Sequence, residues 1–548
     1  MLISAILVGL LATLGQWWFF GPATKCLVYP LTTGILTGLF MGDPMTGMLA
    51  GASIQLIYLG WISAGGTMPS NTIVAGIFGT AMVILSKAEP SLAVVFAIPL
   101  SMLGLLLNQV YMTVNALWIH QADKLLDKGK LNGVWFMNFV PSFFMALLLY
   151  GVPGFLLVMY GDKWGSRLFS QIPESLVSAL QVVGGIMPAL GIAMLLNYLG
   201  KKKLIPWFFA GFFMTQYLKL DIMAIAIFAG IFSILIFIAG NTKEDTVKKT
   251  VKRLSLDKKE ETETNIVTTE NINKNYAKKL SKKDLIKTWL YTTSTEACYN
   301  YERLQALGIA TLMLTPIKKL YETNEKRVEE LKKYMVFYNS EVFTIGPVIN
   351  GISVSMEEAR ANGEEISAED INAVRTGLMG PVAGIGDTVM QGILFPILAG
   401  IGCTLALSGN YAGPIFFTVV FEILIFSCGY FMFMNGYKYG KSSLLTILKN
   451  GIIDKVTNAF RIVGLMVVGS MAASRVMIYT PLKIDISGGA IAFQSIIDSL
   501  LPGLIPLLIT LGIWKAVSDK MNTTWLIVLI FVLGIIASYL GILGYVHK

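Results

Sequence analysis

Long apolar runs separated by short polar segments dominate the pattern along this chain. Residues 92–118, 134–160 and 525–543 form such runs, and a helix needs about 20 residues to cross the hydrocarbon core of a membrane. The runs show no regular alternation of apolar and polar residues, so they predict membrane-spanning helices and exclude the strands of a β-barrel. The expected fold is therefore an all-α integral membrane protein, a polytopic helical bundle.

A charged segment, residues 241–284, interrupts the apolar pattern near the middle of the chain. It contains KKTVKRLSLDKKEETETN and NKNYAKKLSKKD, with almost no large apolar side chains. Such a segment cannot bury enough apolar surface to offset the entropy lost on ordering, which is typical of a flexible linker. The sequence thus predicts two membrane domains, a first half (1–240) and a second half (285–548).

The beginning of the second half, residues 285–376, differs from the membrane helices predicted for 377–548. Its Ser367, followed three residues later by Asp370, predicts the N-cap of a helix. Four apolar residues recur there at helical spacing, with Glu and Lys between them: Val328, Leu331, Met335 and Tyr338. This pattern predicts amphipathic helices on the cytoplasmic surface of the membrane.

Composition agrees with a membrane protein, because 54% of the residues are hydrophobic and only 14% are charged. The net charge of +9 comes from clusters between apolar runs, including 124–130, 201–203 and the linker. The positive-inside rule explains these clusters without nucleic acid, and it places the linker in the cytoplasm and the C-terminus outside the cell. The four cysteines are widely separated, so we expect no metal site, disulfide framework or cofactor.

Glycines and polar residues break the region from Gln55 to Asn71, which also contains Ser63. Irregular backbone at membrane depth is tolerated only where protein or a cavity surrounds it. The region is therefore a candidate re-entrant segment that forms a binding site, with Gln55, Ser63 and Asn71 as candidate ligand contacts. The alternative is that the glycines only allow helices to pack closely.

A second candidate segment, LMGPVAGIGDTVMQG, covers residues 378–392. An aspartate inside an apolar stretch is costly, which makes Asp387 a functional candidate, together with Gln391 one turn later. No strand precedes the glycines and no lysine follows them, so the segment is not a phosphate-binding loop. The alternative is that Asp387 caps a half-helix or pairs with an arginine.

A third segment, YNYERLQALG at 299–308, is unusually polar for its position directly before an apolar run. Amides and carboxylates beside aromatic rings suit the hydroxyls and apolar face of a sugar, which makes Asn300 and Glu302 candidate contacts. The alternative is an interfacial helix whose charged residues are only solvated.

Histidine is scarce in this chain, with only His120 and His547. A phosphocarrier needs a nucleophilic His or Cys at a site open to water, and neither histidine lies in such a context. We therefore expect no phosphorylated or catalytic residue here. If phosphoryl transfer takes place, its donor belongs to another chain.

These segments resemble the mannose, fructose and sorbose family of phosphotransferase system permeases. QLIYLGW, GGTMPSN and IPESLVSALQVVGGIMPALGIAMLLNYL in the first half resemble the IIC component. YNYERLQALG, GLMGPVAGIGDTVMQG and PGLIPLLITL in the second half resemble the IID component. The chain is thus similar to a IIC protein fused to a IID protein.

The resemblance implies a sugar permease of the bacterial cell membrane that assembles as a trimer. It implies that the two halves bind a hexose outside and present it inside to a separate phosphorylated IIB protein, charged through IIA and HPr. It implies contacts to sugar from Gln55, Ser63 and Asn71 in the first half. In the second half, the implied contacts are Asn300, Glu302, Asp387 and Gln391.

Two other functions fit the same pattern. An ion-coupled secondary transporter needs a buried carboxylate, and Asp387 meets that need. A membrane receptor or scaffold without transport activity needs only the helical bundle.

Overall fold

The computed structural model describes residues 1–19, 24–60, 70–170, 173–236, 277–449, 452–486 and 489–546. Ser63, His547 and most of the linker predicted at 241–284 lie outside the described residues.

Helices form almost all of the described first half. Asp43 and Asn71 accept backbone N–H groups at the starts of two of them, which satisfies donors that helix starts otherwise leave open. A π turn at Leu147–Gly151 joins α6 to α7. The helices are α1 Leu2–Gln16, α2 Pro30–Met41, α3 Pro44–Ile57, α4 Thr72–Ser86, α5 Ala93–Asp127, α6 Asn132–Ala146, α7 Val152–Ser170, α8 Glu174–Leu199, α9 Pro206–Leu218 and α10 Ile222–Ile236.

The second half adds further helices and two small antiparallel ribbons. A second π turn, Met390–Leu394, joins α15 to α16. The ribbons pair β1 Ile478–Tyr479 with β4 Gly544–Tyr545, and β2 Lys483–Ile486 with β3 Gly489–Ala492. The helices are α11 Lys282–Thr292, α12 Ala306–Leu320, α13 Asn324–Lys332, α14 Pro347–Ala361, α15 Ala368–Val389, α16 Phe395–Leu407, α17 Ala412–Lys449, α18 Ile452–Arg475, α19 Phe493–Leu500, α20 Leu504–Ser518 and α21 Thr523–Tyr539.

Five helical stretches within the described residues are long and apolar enough to cross a membrane. A sixth candidate is the pair α19 and α20, which is bent by 76° at its break. This architecture confirms the predicted all-α membrane bundle with broken helices. The five stretches are Pro90–Asp127, Asn132–Gly161, Ser178–Asn197, Ala368–Leu407 and Ala412–Gly440.

The amphipathic region of the second half differs in detail from its predicted pattern. Helix α13 ends at Lys332, so Tyr338 belongs to the irregular segment that follows. The Ser367 N-cap is confirmed, with Asp370 completing a capping box. Because α15 starts there, the predicted division at residues 376 and 377 falls inside this helix.

Four glycines let α2 and α3 pack backbone to backbone. A Cβ atom on Gly34 would lie 2.5 Å from Gly51 Cα, and one on Gly47 would lie 2.5 Å from Gly38 Cα. Real Cβ atoms do not approach so closely, so these positions exclude larger residues. Close helix packing therefore accounts for these four glycines.

The two halves also approach closely through glycine, where α9 of the first half lies against α18 of the second. A Cβ atom on Gly211 would lie 1.9 Å from the Met466 carbonyl oxygen, and one on Gly469 would lie 1.9 Å from the Phe208 oxygen. Nearby, the Thr215 hydroxyl donates to Ser470 Oγ at 2.7 Å. Backbone proximity and hydrogen bonds of this kind stabilise helix pairs in lipid, where apolar burial contributes little.

Ion pairs join the two halves at the loop between α5 and α6. Arg303 Nη2 lies 3.0 Å from Asp123 Oδ2, and Lys332 Nζ lies 2.6 Å from Asp127 Oδ1. These contacts place Arg303 and the helix α13 at the same end of the bundle as the basic cluster 124–130. The halves thus form one packed body.

Cutting a protease site inserted into the linker should leave the two halves associated, because packing and not the linker holds them. Affinity purification through a tag on one half, in mild detergent, should recover both fragments. Gly469→Leu should reduce this recovery in the cut protein, whereas Gly512→Leu, where a Cβ meets no atom within 4 Å, should not. Separation of the unsubstituted halves after cleavage would contradict this packing.

Candidate functional site

A polar cavity of about 840 Å³, including space at its mouth, lies between the two halves. The first half contributes Gln16, Trp18, Lys25, Asn108, Tyr111 and Met112 to its lining. The second half contributes Glu296, Tyr299, Asn339, Ser340, Glu341, Val342, Phe343, Ala383, Asp387, Met390 and Gln391.

The first-half wall is formed where the end of α1 meets the middle of α5. Gln16 Nε2 donates to Asn108 Oδ1 at 3.2 Å, which orients both amides. Tyr111, three residues after Asn108, shares its helix face and donates to the Ala297 carbonyl at 2.8 Å. The wall is therefore tied directly to the second half.

Asp387 and Gln391 lie one helical turn apart where α15 passes into its π turn. Gln391 Nε2 donates to Asp387 Oδ1 at 2.9 Å. The helix continues through the glycine-rich segment and is not broken at Asp387. The π turn widens the backbone at the cavity, as is frequent at functional sites.

Gln305 connects the polar segment 299–308 to the cavity. Its Nε2 donates to Glu296 Oε1 at 3.1 Å and to the Ser340 carbonyl at 2.8 Å, while its Oε1 accepts the Ser340 N–H at 3.1 Å. Glu296 and the strip 339–343 are therefore held in a fixed relation. Burial raises the pKa of Glu296, and the positive charge of Lys25 opposes that effect.

Glu341 accepts an unusual number of hydrogen bonds on the cavity wall. The backbone N–H groups of Phe343, Thr344, Ile345 and Gly346 all donate to its carboxylate at 2.6 to 3.0 Å. The Thr344 hydroxyl adds a fifth donor at 2.9 Å. Donors in this number hold the carboxylate in one position on the cavity wall.

Lys25 lies against aromatic rings from both halves. Its Nζ is 4.1 Å from the centroid of Trp18 and 4.8 Å from that of Phe343. Burial lowers the pKa of Lys25, while Glu296, Glu341 and nearby carboxylates favour its charged form. This cation–π contact fixes the ammonium beside the cavity.

Taken together, the lining offers carboxylate acceptors, amide donors and aromatic faces. This combination suits a small polyhydroxylated ligand, whose hydroxyls both donate and accept and whose C–H faces pack on rings. The described lining residues include neither His nor Cys.

Of the residues predicted from the sequence, Asp387 and Gln391 line this cavity. Gln55 is fully buried elsewhere, where its Oε1 accepts the Leu31 N–H at 3.3 Å. Asn71 caps α4 and donates to Gly104 O at 3.3 Å and to the Tyr150 hydroxyl at 3.1 Å. Both amides therefore lie away from this cavity and hydrogen-bond to backbone groups, while Gln55 Nε2 has no hydrogen-bond partner among the described residues.

Asn300 and Glu302 also lie away from the cavity. Asn300 Oδ1 accepts the N–H groups of Glu302 and Arg303, at 3.2 and 2.9 Å, and so stabilises a turn. Glu302 is 39% exposed and pairs with His120 Nε2 at 2.7 Å. It lines a separate surface depression with Asp123, Asp127, Arg303, Lys332, Met335, Val336 and Phe337.

Several cavity residues were not predicted from the sequence. Lys25, Gln16 and Asn108 are isolated polar residues in apolar surroundings, so the argument that selected Asp387 also applies to them. Glu296 and Glu341 carry no such signal, because polar residues surround them in the chain.

Two family models match the chain in succession. A model of the phosphotransferase system sorbose-specific IIC component matches residues 2–235, and a model of the mannose/fructose/sorbose family IID component matches residues 279–543.

Individual relatives match one half each. The sorbose-specific EIID component of Klebsiella pneumoniae is 36% identical over 273 residues, which are 49% of this chain and 99% of the relative. The mannose-specific EIIC component of Escherichia coli (strain K12) is 26% identical over 234 residues, 42% of this chain and 85% of the relative. A solved complex of the mannose transporter ManYZ with microcin E492 matches 49% of this chain and 99% of its own, with 34% identity and a TM-score of 0.29.

A cysteine at the cavity should react with a small charged thiol reagent, because water reaches the cavity. In a background without the four native cysteines, Gln391→Cys should be labelled by a methanethiosulfonate, whereas Gln55→Cys, whose side chain is fully buried, should not. Mass spectrometry of the detergent-purified protein measures both. Equal labelling of the two positions would contradict the cavity.

Proposed function

Because the chain belongs to the mannose/fructose/sorbose family of phosphotransferase system permeases, with a IIC component fused to a IID component, we propose that it binds a neutral hexose in the cavity between its halves. The observation that supports this most directly is the joint lining of that cavity. Helices α1 and α5 supply one wall, and α15 with the strip 339–343 supplies the other. Neither half encloses the site alone.

Asp387 and Gln391 are the proposed central contacts of the sugar. The carboxylate accepts from sugar hydroxyls, and Gln391 keeps its position by donating to Asp387 Oδ1 at 2.9 Å. Asn108 and Gln16 are proposed as first-half contacts, since their amides lie on the opposite wall. The aromatic ring of Trp18 offers a face for the apolar side of the sugar ring.

The proposed partners act on the cytoplasmic side. We place the linker and the amphipathic helices in the cytoplasm and the C-terminus outside, since α12 and α13 contact the region of the basic cluster 124–130. A separate phosphorylated IIB protein, charged through IIA and HPr, then phosphorylates the sugar there. The proposed assembly is a trimer, as the family resemblance implies.

Ion-coupled transport is the second candidate, because Asp387 and Glu422 lie in apolar parts of candidate spans. Asp387 lies on α15, and Glu422 on α17 accepts the Cys26 N–H at 2.9 Å. A carboxylate at this depth is the group that a proton-coupled carrier uses.

Uptake in cells should distinguish the two mechanisms. In a host without its own permease for the tested sugar, expression of this chain with its IIB partner should support uptake of labelled mannose, fructose or sorbose. Deleting enzyme I should abolish uptake, and a protonophore should leave most of it. The reverse pattern would establish ion coupling and overturn the proposal.

Asp387→Asn should weaken sugar binding by about tenfold or more, because an amide donor replaces one of the two acceptor oxygens that face the sugar hydroxyls. Equilibrium binding of radiolabelled sugar to the purified protein measures the change. Asp519→Asn, an exposed position at the end of α20, is the matched control and should bind normally. Unchanged binding in Asp387→Asn would remove Asp387 from the site.

A further inference from the structure

The end of a helix that borders the cavity is already occupied by a carboxylate of the protein itself. Helix α14 begins at Pro347, and the four consecutive N–H groups of residues 343–346 lead into it. Successive N–H groups in such a turn form a concave site for an anion such as phosphate. Here all four donate to Glu341, so no donor of this site remains free for a ligand.

Glu341 also fills the space that a ligand would need there. The residue is 6% exposed. A Cβ atom on Gly386 would lie 2.7 Å from Glu341 Cβ and 2.8 Å from its Oε2. Glycine at this position thus lets the Glu341 side chain lie directly against α15, beside Asp387.

The remaining charges of the lining disfavour a second anion. Lys25 is the one basic side chain among the described lining residues, against the carboxyl groups of Glu296, Glu341 and Asp387. Its ammonium is held against the rings of Trp18 and Phe343. A phosphate dianion brought into a site of low dielectric needs more positive charge or more free donors than this lining offers.

We propose that Glu341 acts as a built-in substitute for phosphate, which makes the cavity accept a neutral sugar and reject the same sugar once it is phosphorylated. This inference rests on the proposed function. Its consequence is directional, because phosphorylation converts a ligand that the cavity holds into one that it repels. The phosphorylated sugar leaves, and sugar phosphates do not compete for the empty cavity.

The test compares two affinities in one protein. Purified full-length chain is incubated with radiolabelled mannose or fructose, whichever binds, and the label is displaced with the unlabelled sugar or with mannose 6-phosphate or fructose 1-phosphate. In the native chain the phosphate ester should bind about tenfold more weakly or worse. Glu341→Ala frees the N–H groups and should reduce this ratio to about threefold or less, even if sugar affinity itself changes.

Glu341→Gln keeps the shape of the side chain and removes its charge, so it should also reduce the ratio of sugar affinity to ester affinity. This variant tests the role of Glu341 if Glu341→Ala aggregates. Glu325→Gln, an exposed position on α13, should leave the ratio unchanged. No binding of any sugar to the native chain would count against the proposed function. Equal binding of sugar and ester to the native chain, or an unchanged ratio in both Glu341 variants, would overturn this inference and leave the proposed function standing.

Discussion

The absence of water in the hydrocarbon core is the constraint on which the rest of this structure depends. A polar side chain at that depth needs a protein partner or a cavity, because lipid offers neither donors nor acceptors. Asn108, Gln16, Asp387 and Gln391 meet this need where the two halves face each other. The same constraint explains why the halves pack through glycine and paired hydroxyls, as at Gly469 and Thr215.

Much of the fold could be predicted from the sequence, because its signals are local. The apolar runs 92–118 and 134–160 correspond to candidate membrane spans, whereas the run 525–543 corresponds to a shorter apolar helix. Ser367 with Asp370 predicted the start of α15. Helix ends were harder to predict from the sequence, and so was the course of the chain within residues 368–407. There the helix continues through glycines and a π turn because neighbouring helices pack against it. Tyr338 shows the same limit, since its spacing fits a helix that ends at Lys332.

The candidate site could be predicted only in part from the sequence, because it is formed by residues far apart in the chain. Asp387 was found since a carboxylate in an apolar run is costly wherever it lies. Gln55 and Asn71 satisfied a similar argument, and the structure places their amides outside this cavity, in contact with backbone groups. A buried amide that binds a neighbouring N–H and one that binds a ligand have the same sequence signature. Glu341 could not be predicted from the sequence, because its role depends on four N–H groups that only the folded turn brings together.

A cryo-electron microscopy structure of the full-length protein with bound hexose tests the joint cavity most directly. The predicted result is sugar density between α5 and α15, within hydrogen-bonding distance of Asp387 and of at least one first-half residue such as Asn108. Density enclosed by one half alone, for example beside Gln55 and away from Asp387, would contradict the account.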